Sequence, residues 1–302
     1  MKAYCNRIVN CVVIFQALAM AAWTGTALSA TTAINACGTV ISTPGVYAIG
    51  ESLASTSATV DCIEIASPGV SLGLASGISL SGPGGAGVTA AGIKVDDKAN
   101  GVQINFFGAK IQGFGVGIDD EGSGIIISAA PTGGEITGNA AQGILVDKAD
   151  SVLIDSVDSE NNGGAGLELL HASGVTVTGV PIFESNGGYG LWVHSSSHNQ
   201  FFNVDAFENK LSGIYVGESG TDKLSAKARD GEPSTDNVFL DGGTVQNGGA
   251  GIVLDLGDNR NVVADFTGES NTDDDAIDGT PACTHNKWIN NMFGTTNRSC
   301  IQ

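Results

Sequence analysis

Basic residues are scarce in this chain of 302 residues, where 13 Lys and Arg stand against 32 Asp and Glu for a net charge of −19. A field of that sign repels nucleic acid and anionic membrane surfaces, which excludes both as partners. It repels polyuronates too, unless a cation such as Ca²⁺ mediates the contact. The chain has no CxxC pair, which argues against structural zinc. Nowhere beyond the N-terminus is there an apolar run near the roughly 20 residues of a membrane span. A 3.6-residue apolar period is also missing there. Helical bundles and inserted membrane proteins are therefore set aside.

The N-terminus has a different character. Lys2 and Arg7 precede an apolar run from Cys11 to Trp23, and small residues follow at Ala27, Ser29 and Ala30. That order predicts a secretory signal peptide over residues 1–30 and a secreted or periplasmic mature chain. Its removal takes two of the 13 basic residues and no acid, leaving 11 − 32 = −21. Four cysteines remain: Cys37, Cys62, Cys283 and Cys300. An even number in an exported chain reads as disulfides, with three connectivities open. Local pairing is favoured, because the two groups sit at opposite ends of the array described next.

What the chain has in abundance is repetition. A Gly–apolar–x–apolar strand recurs at Gly92, Gly143, Gly166, Gly190, Gly213 and Gly251, with a weaker copy at Gly117. The steps from Gly92 are 25, 26, 23, 24, 23 and 38 residues. Asn139, Asn162, Asn186, Asn209 and Asn247 each lie four residues before the next such glycine. Asparagine tolerates the left-handed backbone of a tight corner. Stacked amides can also hydrogen-bond in a ladder. Between these marks each coil carries a second β-branched run, such as Val102-Gln-Ile, Val152-Leu-Ile and Val175-Thr-Val, and then a third short stretch. Three short strands and three turns per repeat predict an all-β solenoid, a three-sided parallel β-helix of roughly 23–26-residue coils. The expected division is an N-terminal cap over 31–61, coils over 62–275 with an insertion at 218–236, and a C-terminal coil and cap over 276–302. Nothing in the repeat specifies an oligomeric state.

The opening Cys37-Gly-Thr-Val-Ile-Ser-Thr-Pro-Gly-Val-Tyr, with Ile63-Glu-Ile and Gly69-Val-Ser-Leu, resembles the pectin-lyase-like superfamily, in particular its right-handed β-helix repeat proteins. The resemblance covers nearly all of residues 37–297. It implies a right-handed coil and leaves the activity open among lyases, hydrolases, epimerases, esterases, tailspikes and adhesins. Polygalacturonase-like members place Asp just before successive Gly-Ile strands. Here those positions hold Val116, Gln142, Ala165, Tyr189, Ser212 and Ala250.

Strand alternation places the second and fourth residues after each glycine outside. Trp192 and Tyr215 then sit on adjacent coils as an exposed aromatic pair suited to stacking on sugar rings. Asp147 and Glu168 are carboxylates on successive coils, a feasible acid/base pair for glycoside hydrolysis. His194, beside Trp192, joins Asp147 and Glu168 as a candidate catalytic residue. The insertion carries Lys223, Lys227 and Arg229, and Lys227 or Arg229 is the candidate base for β-elimination at a uronate. Asp273, Asp274, Asp275 and Asp278 offer oxygen ligands for Ca²⁺ without an EF-hand or nonapeptide pattern. The expected function is polysaccharide binding on an exposed strand face. A polysaccharide lyase or glycoside hydrolase, and a non-catalytic structural or adhesive protein, are the alternatives. No cofactor is required beyond a possible Ca²⁺.

Overall fold

The computed structural model describes residues 30–129, 131–218 and 232–301. The proposed signal peptide and Lys223, Lys227 and Arg229 lie outside the described residues. The chain divides into Met1–Thr31 and Thr32–Gln302, and the second unit is the β-solenoid. Every strand pairing in it is parallel, coil on coil. Ten strands make the first face: Thr39–Ile41, Ile63–Ile65, Ala91–Val95, Val116–Asp120, Ile144–Asp147, Leu167–Leu170, Leu191–His194, Ile214–Val216, Ile252–Leu254 and Ala276–Asp278. The remaining strands form the other two faces, for example Gln200–Phe202 followed by Asp205–Phe207. Among the described residues no helix is long and apolar enough to cross a membrane.

Parallel pairing in strict register stacks like on like. On the first face Ile93, Ile118, Ile144, Leu167, Leu191, Ile214 and Ile252 pair in succession and are fully buried. The second face contributes Ile104, Ile127, Ile154, Val177, Phe201 and Phe239 in the same way. Phe201 and Phe239 stack with ring centroids 4.6 Å apart. These stacked columns, with a second one on the first face through Val95, Val146, Leu169, Val193, Val216 and Leu254, fill the bore, and their burial is the main drive to fold.

The corners are held by amides. Asn139, Asn162, Asn186, Asn209, Asn247 and Asn271 form a buried ladder in which each Nδ2 donates to the Oδ1 of the next, at 2.9, 3.2, 3.0, 3.0 and 2.8 Å. The same Oδ1 atoms accept the backbone N–H of the preceding rung at 3.0 Å. The left-handed backbone lies one residue earlier than expected. Gly138, Asn161, Ser185, Glu208, Gln246 and Ser270 have φ between 52° and 64°. The ladder asparagines are there for their amides, and the turn conformation falls to whichever residue precedes them. The strand-opening glycines answer to space. A Cβ on Gly190 would come within 2.7 Å of Gly213 O and 2.8 Å of Asn209 Nδ2.

A second ladder, which the repeat marks do not reveal, runs through Asn199, Asn237, Asn261 and Asn286 at the corner before the second face. Its Nδ2–Oδ1 distances are 2.9, 3.0 and 3.4 Å. Disulfides Cys37–Cys62 and Cys283–Cys300 staple the two ends in the local pairing expected.

Asp120 breaks the apolar pattern. It occupies an inward position between Val95 and Val146 on adjacent coils and is fully buried. Its Oδ1 accepts the Gly122 N–H at 3.0 Å, and its Oδ2 takes no hydrogen bond from any described residue. Burial pushes its pKa up to about 7, against the Gly122 hydrogen bond and with help from Asp119 and Glu121. A carboxyl raised on folding binds its proton more tightly in the folded chain. Its stabilising contribution is complete below its ordinary pKa and is lost as pH rises through about 7. Asp120→Val should therefore raise the melting temperature at pH 8 by several degrees and flatten its fall between pH 4 and 7. A variant that melts in parallel with the parent across that range refutes this role.

The ladder makes a separate prediction. Asn186 donates to Ser159 O and Asn209 Oδ1 and accepts from Asn162 twice. Asn186→Ala strands these buried groups at about 1–3 kcal/mol each. Urea unfolding should show a loss of roughly 3 kcal/mol or more, whereas exposed Asn100→Ala should cost little.

Candidate functional site

The outer surface of the first face is built by the alternate residues of its strands. Register places Lys94, Asp119, Leu145, Glu168, Trp192, Tyr215 and Val253 in one column. Asp147, Leu170 and His194 stand in a second column two residues along. Adjacent rungs are about 4.8 Å apart. Asp147, Glu168, Trp192 and His194 are thereby brought onto one surface, as the alternation predicts.

Tyr215 is corrected. Its side chain lies outside the bore but is fully buried, at 0% exposure. It belongs to a second apolar cluster on the outside of the first face, with Ala165, Tyr189, Ala250 and Val253, against which Trp192, Leu211 and Ile277 pack. Tyr189 stacks on it with centroids 4.9 Å apart, and its hydroxyl donates to Asp255 Oδ2 at 3.1 Å. It supports the surface and is no part of an exposed platform. The alternation rule missed Tyr189 because the chain bends at Gly190. A Cβ on Gly190 would face Ala206 and Asn209 in the interior, and Leu191 faces inward too. Two consecutive inward positions leave the residue before the glycine pointing out.

Trp192 is half-buried. Its indole Nε1 donates to Gly217 O at 2.9 Å. The His194 imidazole stacks beside it at 5.1 Å with planes 6° apart. His171 comes to 6.1 Å from His194, and its Nδ1 lies 3.9 Å from Asp147 Oδ1. His171 follows the strand Leu167–Leu170 at a left-handed corner, φ 52°, so its place near Asp147 could not be read from alternation.

The carboxylates are crowded. Glu168 is 5% exposed and accepts a hydrogen bond from Gln142 Nε2 at 2.6 Å. Burial pushes its pKa up, the Gln142 amide opposes this, and the Asp147 charge adds to the rise. Asp147 pairs with Lys148 at 2.8 Å. One coil before, Lys94 lies 3.9 Å from Asp119 and 3.4 Å from Glu121. Burial raises the Asp119 pKa against the pull of Lys94, with Glu121, Asp61 and Asp147 adding to it. A buried carboxyl biased towards its acid form beside a second carboxylate can serve as proton donor next to a base. The same acids can equally hydrogen-bond sugar hydroxyls.

The aspartates near the C-terminus do not converge. Asp275 accepts from Asn271 and Thr295, so its carboxylate closes the first ladder. Asp278 faces inward and accepts from Trp288, Thr280 and Asn286. Asp273 is exposed and Asp274 half-buried. Among the described residues no group of three His, Cys, Asp or Glu side chains is placed to hold a metal ion.

A family model described as right-handed beta helix region matches residues 76–229. No curated protein matches the sequence. Among solved structures the fold is similar to the Dettilon tailspike protein gp208, with a TM-score of 0.60, 15% identity, and 87% of this chain and 51% of that chain covered. This chain spans about half the tailspike's length. It is also similar to the periplasmic alginate epimerase AlgG (TM-score 0.51, 15% identity, 84% and 70% covered). The A-module of the Azotobacter vinelandii mannuronan C-5 epimerase AlgE6 is a third, with a TM-score of 0.51, 13% identity, and 89% and 87% covered. At such identities the likeness is one of fold.

Gln142→Leu removes the donor that holds down the Glu168 pKa. Carboxyl NMR titration should show Glu168 ionising at higher pH in the variant, and an unchanged or lower midpoint would show that Gln142 exerts no hold.

Proposed function

The chain belongs to the right-handed β-helix region family, and from that premise we propose that it binds polysaccharide along the outside of its first face. The observation that carries this reading is Trp192, a half-buried indole fixed by its bond to Gly217 O and stacked against the His194 imidazole, on the outer surface beside Asp147 and Glu168. A fixed, partly exposed indole complements the apolar face of a pyranose, and adjacent carboxylates accept hydrogen bonds from its hydroxyls. Indole fixed by its bond to Gly217 loses little freedom on binding. The likeness of fold to a phage tailspike and to alginate epimerases is consistent with a carbohydrate ligand. Two disulfides support an extracytoplasmic setting, where such polymers are met.

A second reading, bond cleavage or epimerisation at the same surface, rests on Glu168. Its raised pKa beside Asp147 suits a general acid, and His171, 3.9 Å from Asp147, is a candidate proton carrier. Lys227 retains its place in that reading as a candidate base, and Ca²⁺ as a bridge to an acidic polymer.

Affinity electrophoresis against a panel of soluble polysaccharides tests the first reading. Trp192→Ala should weaken retardation by roughly tenfold or more, the loss of about 1–3 kcal/mol of ring stacking. Tyr215→Phe, which keeps the buried ring, should leave retardation unchanged. If Trp192→Ala binds as the parent does, the first face is not the binding surface. Release of new chain ends by the parent, abolished in Glu168→Gln, would favour the second reading.

A further inference from the structure

We infer that the first face selects polysaccharides without uronate carboxylates, so that its ligand is a glycan offering hydroxyl or amino groups. This rests on the proposed polysaccharide site and names its substrate class. Four carboxylates, Asp119, Glu121, Asp147 and Glu168, line the surface on the coils leading to Trp192. Among the described residues the lysines that stand among them are Lys94 and Lys148, both engaged, and His171 lies 3.9 Å from Asp147. Lys94 lies between Asp119 and Glu121, and Lys148 pairs with Asp147. No arginine occurs in the described first-face strands.

The acids there already resist ionisation. Burial and neighbouring carboxylates raise both Asp119 and Glu168. A uronate laid across successive coils would add one negative charge per sugar to this row and would have to detach a lysine from its partner to be met. Like charges brought together in this way repel and weaken binding. A hydroxyl or ammonium group instead donates to acceptors already in place. The fold is shared with alginate epimerases, whose polymer is acidic, but the charge on this face is complementary to a neutral or amino-bearing polymer. The two sources of donors are separated in the test.

The measurement is calorimetric titration of the full chain at physiological salt with hexamers of a neutral glucan, a neutral xylan, chitosan and oligogalacturonate, each in EDTA and again in excess Ca²⁺. The expected result is binding of a neutral or amino-bearing hexamer, with oligogalacturonate at least roughly tenfold weaker in both buffers. Preference for chitosan that vanishes in Asp147→Asn places an amino group against Asp147. Equal binding of neutral and amino hexamers assigns the contacts to hydroxyls. The double variant Asp119→Asn/Asp147→Asn should narrow the gap to oligogalacturonate several-fold while the melting curve stays cooperative. Oligogalacturonate binding as tight as the neutral hexamers, with or without Ca²⁺, overturns the inference and leaves the polysaccharide site standing. Absence of binding to every hexamer overturns both.

Discussion

At each ladder corner the backbone N–H of one asparagine points towards the next coil, where the strand ladder offers it no carbonyl. The side-chain oxygen of the asparagine one rung on accepts it, and the same oxygen takes the Nδ2 hydrogen as well. A buried donor left unmatched costs more than a matched one contributes, so the constraint acts by exclusion. Any slip of register by one residue would orphan a whole column of amides and turn every apolar side chain to the wrong face. The stacked core, the glycine contacts and the outer columns all follow from this corner. The functional surface is set by the same means, because Trp192 can stand above Glu168 only if Asn186 stands above Asn162.

Much of the fold could be read because the corner leaves a fixed mark, Asn four residues ahead of Gly. The physical reason for that mark was only half visible. Asparagine is known for left-handed turns, yet here that conformation falls on its neighbours, Asn161 and Ser185 among them. The second ladder escaped notice because Asn199, Asn237, Asn261 and Asn286 are followed by strands of changing composition, without a glycine at a constant offset.

The site was legible to the extent that alternation holds. Asp147, Glu168, Trp192 and His194 do share a surface. Alternation tells inside from outside but says nothing of what covers the outside, and so it could not foresee Tyr189 lying on Tyr215. Nor does it survive a corner, where His171 swings to within 3.9 Å of Asp147. Gln142 was read only as a departure from an Asp pattern. In the structure it occupies the position before a strand-opening glycine and contacts the carboxyl one coil on.

Asn199 and Asn237 are 38 residues apart in sequence, against 24 for Asn237 and Asn261, yet the two rungs close at 2.9 and 3.0 Å. The ladder therefore measures position by side-chain contact and is blind to how much chain intervenes. The entropy of closing a longer loop grows only logarithmically, by about 0.6 kcal/mol for each doubling. The corner after the Ile214–Val216 strand, next to Trp192, is thus a place where segments of different length can be exchanged without retuning the scaffold. The surface at that corner can vary in sequence and length while the coils beneath it stay under selection for stability.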